Sequence, residues 1–376
     1  MNWNIMWHQA ITRAMLKWLL GKKEQTAGFH LPVTHNGTKL RLHLVNQNGK
    51  SAYKVGGLCA IYDGKLYPLT VRGQSAFEIP VGTSLYTDEL ALSLSEGSDL
   101  ELRIYYKNKF DDVNCTEEEA VLYNGDATRS IEAQPLPRQD WEVTYGIYKA
   151  IPAIDRVEIL TEETQKTIVA FGDSITAMNR WVKPLAKRLR GAYGSAYTLV
   201  NSGISGNCLT HNPKHIFAPA FGMMGTRRYQ RDVLDLPHVH AVILAFGIND
   251  ISFMTPKNAK SVNEKLLIEE TARMAELFRS KGIRVVCQTL GPRKGFQKFT
   301  DEMEQIRKRY NEWVRTCGLF DYVVDVEPKL LEPGTSDTYK SDLHQGDHLH
   351  PNPQGGQIMA DCYDLEKLTG KATKKQ

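Results

Sequence analysis

The sequence has no run of about 18 consecutive apolar residues, the length a membrane-crossing helix needs. Its first residues, MNWNIMWHQAITRAMLKWLLGKK, lack the basic start, unbroken apolar run and small-residue cleavage site of a secretory signal, because His8, Arg13 and Lys17 interrupt them. They are expected to form a terminal helix packed on the body of the protein. Cysteine is sparse. Cys59, Cys115, Cys208, Cys287, Cys317 and Cys362 stand without CxxC spacing, which argues for reduced thiols in a cytoplasmic protein. The net charge is only +4, too small at this length to argue for nucleic acid. There is no HExxH pair of a zinc protease and no GxSxG elbow of an α/β-hydrolase, and no GK[ST] follows the glycine-rich NSGISGN. Internal repeats and low-complexity tracts are absent too.

What is present falls into two patterns. Hydrophobic residues make up 41% and charged residues 24% of 376 residues, ordinary for a globular chain and enough for two domains. Residues 1–155 read as β after the initial helix. KLRLHLVNQ alternates polar and apolar residues, and Asp63-Gly64 in GGLCAIYDGKLYPLTV is a hairpin signal between strand-like runs. Short runs broken by turn residues continue to Tyr106, which suggests a jelly-roll-like β-sandwich. From Thr167 the pattern changes. Apolar runs at 167–171, 197–200, 242–246, 283–287 and 322–326 look like buried strands separated by helices, the signature of a parallel α/β sheet covered on both faces. Ser261 and Glu264 form a capping box for a helix that Gly282 ends. A second helix opens at Thr300 and closes at Gly318.

Ligands of such sheets bind at the carboxyl ends of the strands. The first strand ends in Gly172-Asp173-Ser174, the second in NSGISGN (201–207), the third in GIND (247–250), and DHLHPN (347–352) precedes the final helix. A serine at a tight turn offers a hydroxyl that needs a general base, for which His350 is the candidate. Asp347, three residues earlier, can fix the tautomer of that base. An oxyanion needs preorganised donors. The N–H of Ser174, the N–H of Gly206 and the side-chain amide of Asn249 can supply them. Asp250 is expected to bond loop amides.

GDSI, NSGISGN, GIND and DHLHP, in this order, resemble the four signature blocks of the GDSL or SGNH hydrolase superfamily. The resemblance matches Ser174 to the family's nucleophile, Gly206 and Asn249 to its oxyanion residues, and Asp347 and His350 to its acid and base. NRWVKPLAKRL, RDVLDLPHVHAVILAFGIND and LTVRGQSAFEIPVGTSLYTDELALSL are similar to a bacterial two-domain subgroup with an N-terminal β-sandwich. This implies a flavodoxin-like three-layer αβα hydrolase domain over residues 156–376. It also implies hydrolysis of small esters, often acetyl groups on carbohydrates. Met178, His348 and the insert HNPKHIFAPAFGMMGTRRY depart from the subgroup's pattern and bear on substrate preference rather than on the triad.

Other readings compete. His344, Asp347, His348 and His350 could ligate a metal, and His211 and His215 have the i, i+4 spacing of a ligand pair, but no further motif completes either set. The expectation is an enzyme without metal or cofactor. The same triad would serve an acyltransferase. A carbohydrate-binding protein with relict blocks is the non-enzyme reading, against which the intact Ser174, Asn249 and His350 argue. The expected partner is a small-molecule or oligosaccharide ester, with no nucleic acid and no membrane span.

Overall fold

Antiparallel pairing dominates the first part of the chain and parallel pairing the second. The computed structural model describes residues 1–13, 24–116, 120–136, 149–215, 218–253 and 264–371. Contacts divide the chain into Met1–Thr164 and Gln165–Gln376. The sequence-based boundary after residue 155 falls inside the strand Ile154–Thr161, which pairs with Asn2–His8 and Gly37–Asn46 of the first unit.

In that unit one sheet runs Asn2–His8, Ile154–Thr161, Gly37–Asn46, Thr83–Tyr86, with Leu90–Leu94 also on Gly37–Asn46. A second runs Ala120–Asn124, Gln25–Pro32, Asp99–Tyr106, Tyr53–Tyr62, Lys65–Pro68, with Phe77–Ile79 also on Tyr53–Tyr62. Alternation sends Leu40, Leu42 and Leu44 inward, where they share one core with Val157 and Ile159 and with Phe29, Leu31, Leu102 and Ile104 of the second sheet. The result is a β-sandwich. Asp63 (φ +49°) and Gly64 (φ +67°) supply the two left-handed residues of the expected hairpin turn. The expected N-terminal helix is a correction. Asn2–His8 and Ile11–Arg13 are strands, because their backbone groups pair with Ile154–Thr161 and Asp112–Thr116, remote in sequence. Residues 14–23 of that expected helix lie outside the described residues.

Among the described residues the second unit has five parallel strands in the order Tyr197–Gly203, Lys166–Gly172, Val239–Ala245, Arg284–Gln288, Tyr322–Val324. This 2-1-3-4-5 order is that of flavodoxin-like sheets, whose ligands lie where the order reverses, beside strands one and three. Ile168, Ala170, Ile243, Val286 and Val324 pack with Trp181, with Leu185 and Leu189 of the helix Val182–Tyr193 that follows it, and with Met359 and Ala360 of Pro353–Asp361. Val169, Phe171, Val242, Leu244 and Val285, alternating with them, are equally buried, so both faces are covered. The helix Glu264–Ser280 buries Leu267, Met274 and Phe278. The Ser261 half of its capping box lies outside the described residues. Thr300 caps Asp301–Thr316 as expected, accepting the Met303 N–H at 3.2 Å.

Candidate active site

Asp173 ends the first parallel strand and caps the short helix Ser174–Ala177, its carboxyl accepting the Ile175 N–H at 3.0 Å. Burial, reinforced by the nearby Asp250 charge, pushes that carboxyl up to about 7. The cap makes Ser174 the first helical residue. Ser174 Oγ lies 2.8 Å from His350 Nε2, and His350 Nδ1 lies 2.6 Å from Asp347 Oδ2. Asp347 Oδ1 also accepts the N–H groups of Leu349 (3.1 Å) and His350 (2.9 Å), while Gln345 Nε2 donates to Oδ2 at 3.0 Å. Burial alone would raise the Asp347 pKa. The bonds from the His350 ring and backbone outweigh it and hold the carboxyl well below its usual range. An ionised carboxylate only accepts, so His350 Nδ1 carries the hydrogen and Nε2 is left to accept from the Ser174 hydroxyl.

The second-strand loop is shaped by two close approaches. A Cβ on Gly203 would collide with the backbone of Ala177, so the helix that begins at Ser174 rests directly on the strand end. Gly206 has φ +74°, and a Cβ there would collide with the Phe221 ring. The third-strand loop grips this one. Asn249 Nδ2 donates to Asn207 O at 3.2 Å, which leaves its second amide hydrogen. Asp250 accepts the N–H groups of Leu209 and Thr210, each at 2.9 Å, and the Thr210 hydroxyl at 2.7 Å, the loop-bonding role expected for it.

Two organising residues went unread in the sequence. Arg228 is fully buried, pairs with Asp232 at 2.7 Å, and donates to Gly172 O (2.8 Å), Ser202 O (2.8 Å) and Asn207 Oδ1 (2.9 Å). It thus ties the ends of the first two strands to the Gly206 loop. Burial pulls its pKa down to about 10 against the pull of Asp232. The i, i+4 Arg–Asp pair in RRYQRD was a signal, but its arginine lies at the end of an insert that reads only as a departure from a pattern. Asn201 Nδ2 donates to Thr176 O (2.8 Å) and Asn179 Oδ1 (2.6 Å), which joins the serine helix to the second strand.

A family-wide sequence model, that of the GDSL-like lipase/acylhydrolase family, matches residues 170–358, half of the chain and every loop just described. The chain belongs to the GDSL-like lipase/acylhydrolase family. Among solved structures it is similar to Axe2, an acetylxylan esterase from Geobacillus stearothermophilus, at 19% identity over 54% of this chain and 94% of that one, with TM-score 0.41. It is similar to a GDSL-like lipase from Bacteroides thetaiotaomicron at 20% identity over 54% and 89%, TM-score 0.39. It is also similar to the acetyl xylan esterase AlAXEase at 18% identity over 52% and 96%, TM-score 0.40. No curated protein matches it.

In this GDSL-family chain two histidines of the 344–350 set weighed as metal ligands are engaged otherwise. His350 Nδ1 faces Asp347, and His344 Nδ1 accepts the N–H groups of Gly346 and His348. Among the described residues, the group with metal-ligand potential is Cys208, His211 and Asp250, whose donor atoms lie within 4.8 Å of one another. Its fit is poor. Both Asp250 oxygens already accept loop donors, and burial raises the Cys208 thiol pKa. Among the described residues no helix is long and apolar enough to cross a membrane.

Proposed function

We propose that this GDSL-family chain is a serine esterase that removes small acyl groups, foremost acetyl, from carbohydrates. The observation that carries the reading is the hydrogen-bonded series Ser174–His350–Asp347 at the end of the first parallel strand. His350 Nε2 takes the hydroxyl proton as Ser174 Oγ attacks the ester carbonyl. The N–H groups of Ser174 and Gly206 and the free amide hydrogen of Asn249 stabilise the oxyanion. His350 then protonates the departing alkoxide. Water, deprotonated by the same nitrogen, releases the acyl group from Ser174.

The carbohydrate part of the proposal is supported by an aromatic cluster at the oxyanion loops. The Phe221 ring lies against Gly206. Phe253 follows Asn249 by one turn, its N–H bonded to Asn249 O at 2.9 Å, and its ring centroid is 5.4 Å from that of Phe221. His215 stacks on Phe221 at 5.8 Å, and Lys298 Nζ stands 4.0 Å from the centre of Phe253. Aromatic faces beside an ammonium donor suit a hydroxylated ring better than an alkyl chain, which would strip water from the lysine. Five described cysteines carry free thiols, which fits a reducing compartment.

The test is hydrolysis of p-nitrophenyl acetate and of acetylated oligosaccharides by the wild type and Ser174→Ala. Activity that depends on Ser174 supports an enzyme. Near-normal turnover by the folded variant would overturn it, and inactivity of the wild type would favour the binding-protein reading. Products formed with an added sugar acceptor separate hydrolase from acyltransferase.

A further inference from the structure

His344 has no part in the mechanism above, yet it sits at the centre of the loop that carries Asp347 and His350. That loop is closed at its base, where the Gln345 N–H donates to His350 O at 3.0 Å and the Asn352 N–H to Leu343 O at 2.9 Å. Inside, the backbone enters the left-handed region twice, at Gly346 (φ +101°) and His348 (φ +60°). For His348 that conformation is unfavourable and must be held from outside. His344 Nδ1 accepts the N–H groups of both residues, Gly346 at 3.0 Å and His348 at 3.2 Å. A ring that accepts at Nδ1 is neutral, with its hydrogen on Nε2. Protonation would turn an N–H toward two N–H groups.

The surroundings favour the neutral ring. His344 is 8% exposed. The titratable groups that face it are His348, with ring centroids 4.5 Å apart, Tyr339, at 5.6 Å, and Asp347. Burial first, then the His348 ring, lower its pKa against the opposing pull of Asp347. Tyr339 extends the connection. It lines a cavity whose wall includes Asp173 and Ile175, which flank Ser174, and Leu349 and Pro351, which flank His350.

We propose that His344 is a positioning residue whose neutral ring holds the 344–351 loop in the shape that presents His350 to Ser174, and whose protonation releases that shape. The inference rests on the Ser174–His350 reading. Acid then acts twice, once on the general base and once on the residue that holds its loop. The acid limb of log kcat/KM against pH steepens from a slope of about 1 toward about 2, where a lone base gives about 1.

The experiment measures that limb with p-nitrophenyl acetate for the wild type, His344→Asn and His344→Leu, with circular dichroism as the check on folding. Asn places Oδ1 near the position of Nδ1 and does not titrate. His344→Asn is expected to show a limb of slope about 1 and to recover most of the about 10- to 100-fold loss in kcat, the size of a roughly 1 Å misplacement, expected of His344→Leu. Should His344→Leu not fold, His344→Asn carries the test with nitrogen-15 NMR of the histidine rings in Ser174→Ala, where His344 is expected as the Nε2–H tautomer at neutral pH. A wild-type slope of about 1 throughout, an unchanged limb in His344→Asn, or an Nδ1–H tautomer would overturn the proposal. Activity that survives in Ser174→Ala would instead overturn the parent reading.

Discussion

Each unit of the protein contains close histidine–aspartate pairs, and of His350–Asp347 and the buried His43–Asp155 only the first has the makings of a site. In the parallel unit His350 Nδ1 is 2.6 Å from Asp347. In the sandwich His43 Nδ1 is 2.6 Å from Asp155, which occupies an irregularity in the Ile154–Thr161 strand. Burial alone would raise the Asp155 pKa, and His43 with Arg156 reverses that, much as His350 does for Asp347. The difference lies at the other side of each ring. His350 Nε2 meets the Ser174 hydroxyl, whereas the His43 ring packs on Tyr86, centroids 4.8 Å apart, and among the described residues no hydroxyl bonds to it. The distance within a pair is therefore uninformative. What distinguishes the two is topology. Parallel strands deliver the loops at their carboxyl ends to one edge, where a serine and a histidine from remote segments meet. An antiparallel sandwich spends the same side chains on joining neighbouring strands.

That contrast can be broken most directly at the serine. Ser174→Ala is expected to lower kcat for ester hydrolysis by about 10⁴-fold or more, with the fold intact. His43→Ala is expected to leave kcat within about twofold, since surface and structural changes away from the chemistry leave transition-state contacts in place. If steady-state kinetics gave the two variants similar losses, the comparison would fail. Asn249→Ala is expected to cost about 10²–10³ in kcat, the usual loss for one oxyanion donor. A change confined to KM would give Asn249 a substrate-positioning role instead. On the stability side the order reverses. Urea unfolding of His43→Ala should show a loss of about 2 kcal/mol, the scale of a hydrogen bond to a charged group, and an unaltered midpoint would make that pair ornamental.

Asp173 sharpens the electrostatic side of the comparison. Its carboxyl is raised from 3.8 to about 7 in the folded chain, so between those values the folded state holds a proton that the unfolded state has lost. Wild-type stability contributed by this group therefore falls as pH rises through that window. Asp173→Asn keeps the cap acceptor and removes the titration. Its stability relative to wild type should grow from about pH 4 to about pH 7 and then level off. A pH-independent difference in urea midpoints would show the carboxyl to be ionised throughout. The smallest effect is expected from chelation: activity should survive dialysis against a metal chelator. Loss with rescue by zinc would move attention to Cys208, His211 and Asp250.

Much of the second unit was legible because its signals are local. Runs of buried β-branched residues end at glycines and polar loops, and the helix caps at Thr300 and the turn at Gly282 lie within a few residues of what they terminate. Three of the four loops could be placed at one edge because each follows the carboxyl end of a parallel strand. The N-terminal strand could not be read the same way. Asn2–His8 carries two tryptophans and no clean alternation, and what makes it a strand is Ile154–Thr161, a partner outside any local window. Arg228 escaped for a related reason. A buried arginine is justified only by its acceptors, and Gly172 O, Ser202 O and Asn207 Oδ1 converge on it through the fold rather than through the sequence. The sequence left open whether the aromatics of the insert around Phe221 are core or pocket, and the contacts of His344 were not legible without its neighbours.

The separation of Ser174 from His350 has a bearing on the protein's birth. The two residues are 176 positions apart, while Asp347 and His350 are three apart. At ordinary rates of synthesis the ribosome adds the imidazole about 10–35 s after the hydroxyl. Throughout that interval the nascent chain carries Ser174 without the histidine that the proposed mechanism gives it as base. Asp347 and His350 then arrive together, on one loop. On the proposed reading, a chain that ends before Asp347 would lack both the base and the carboxylate that orients it.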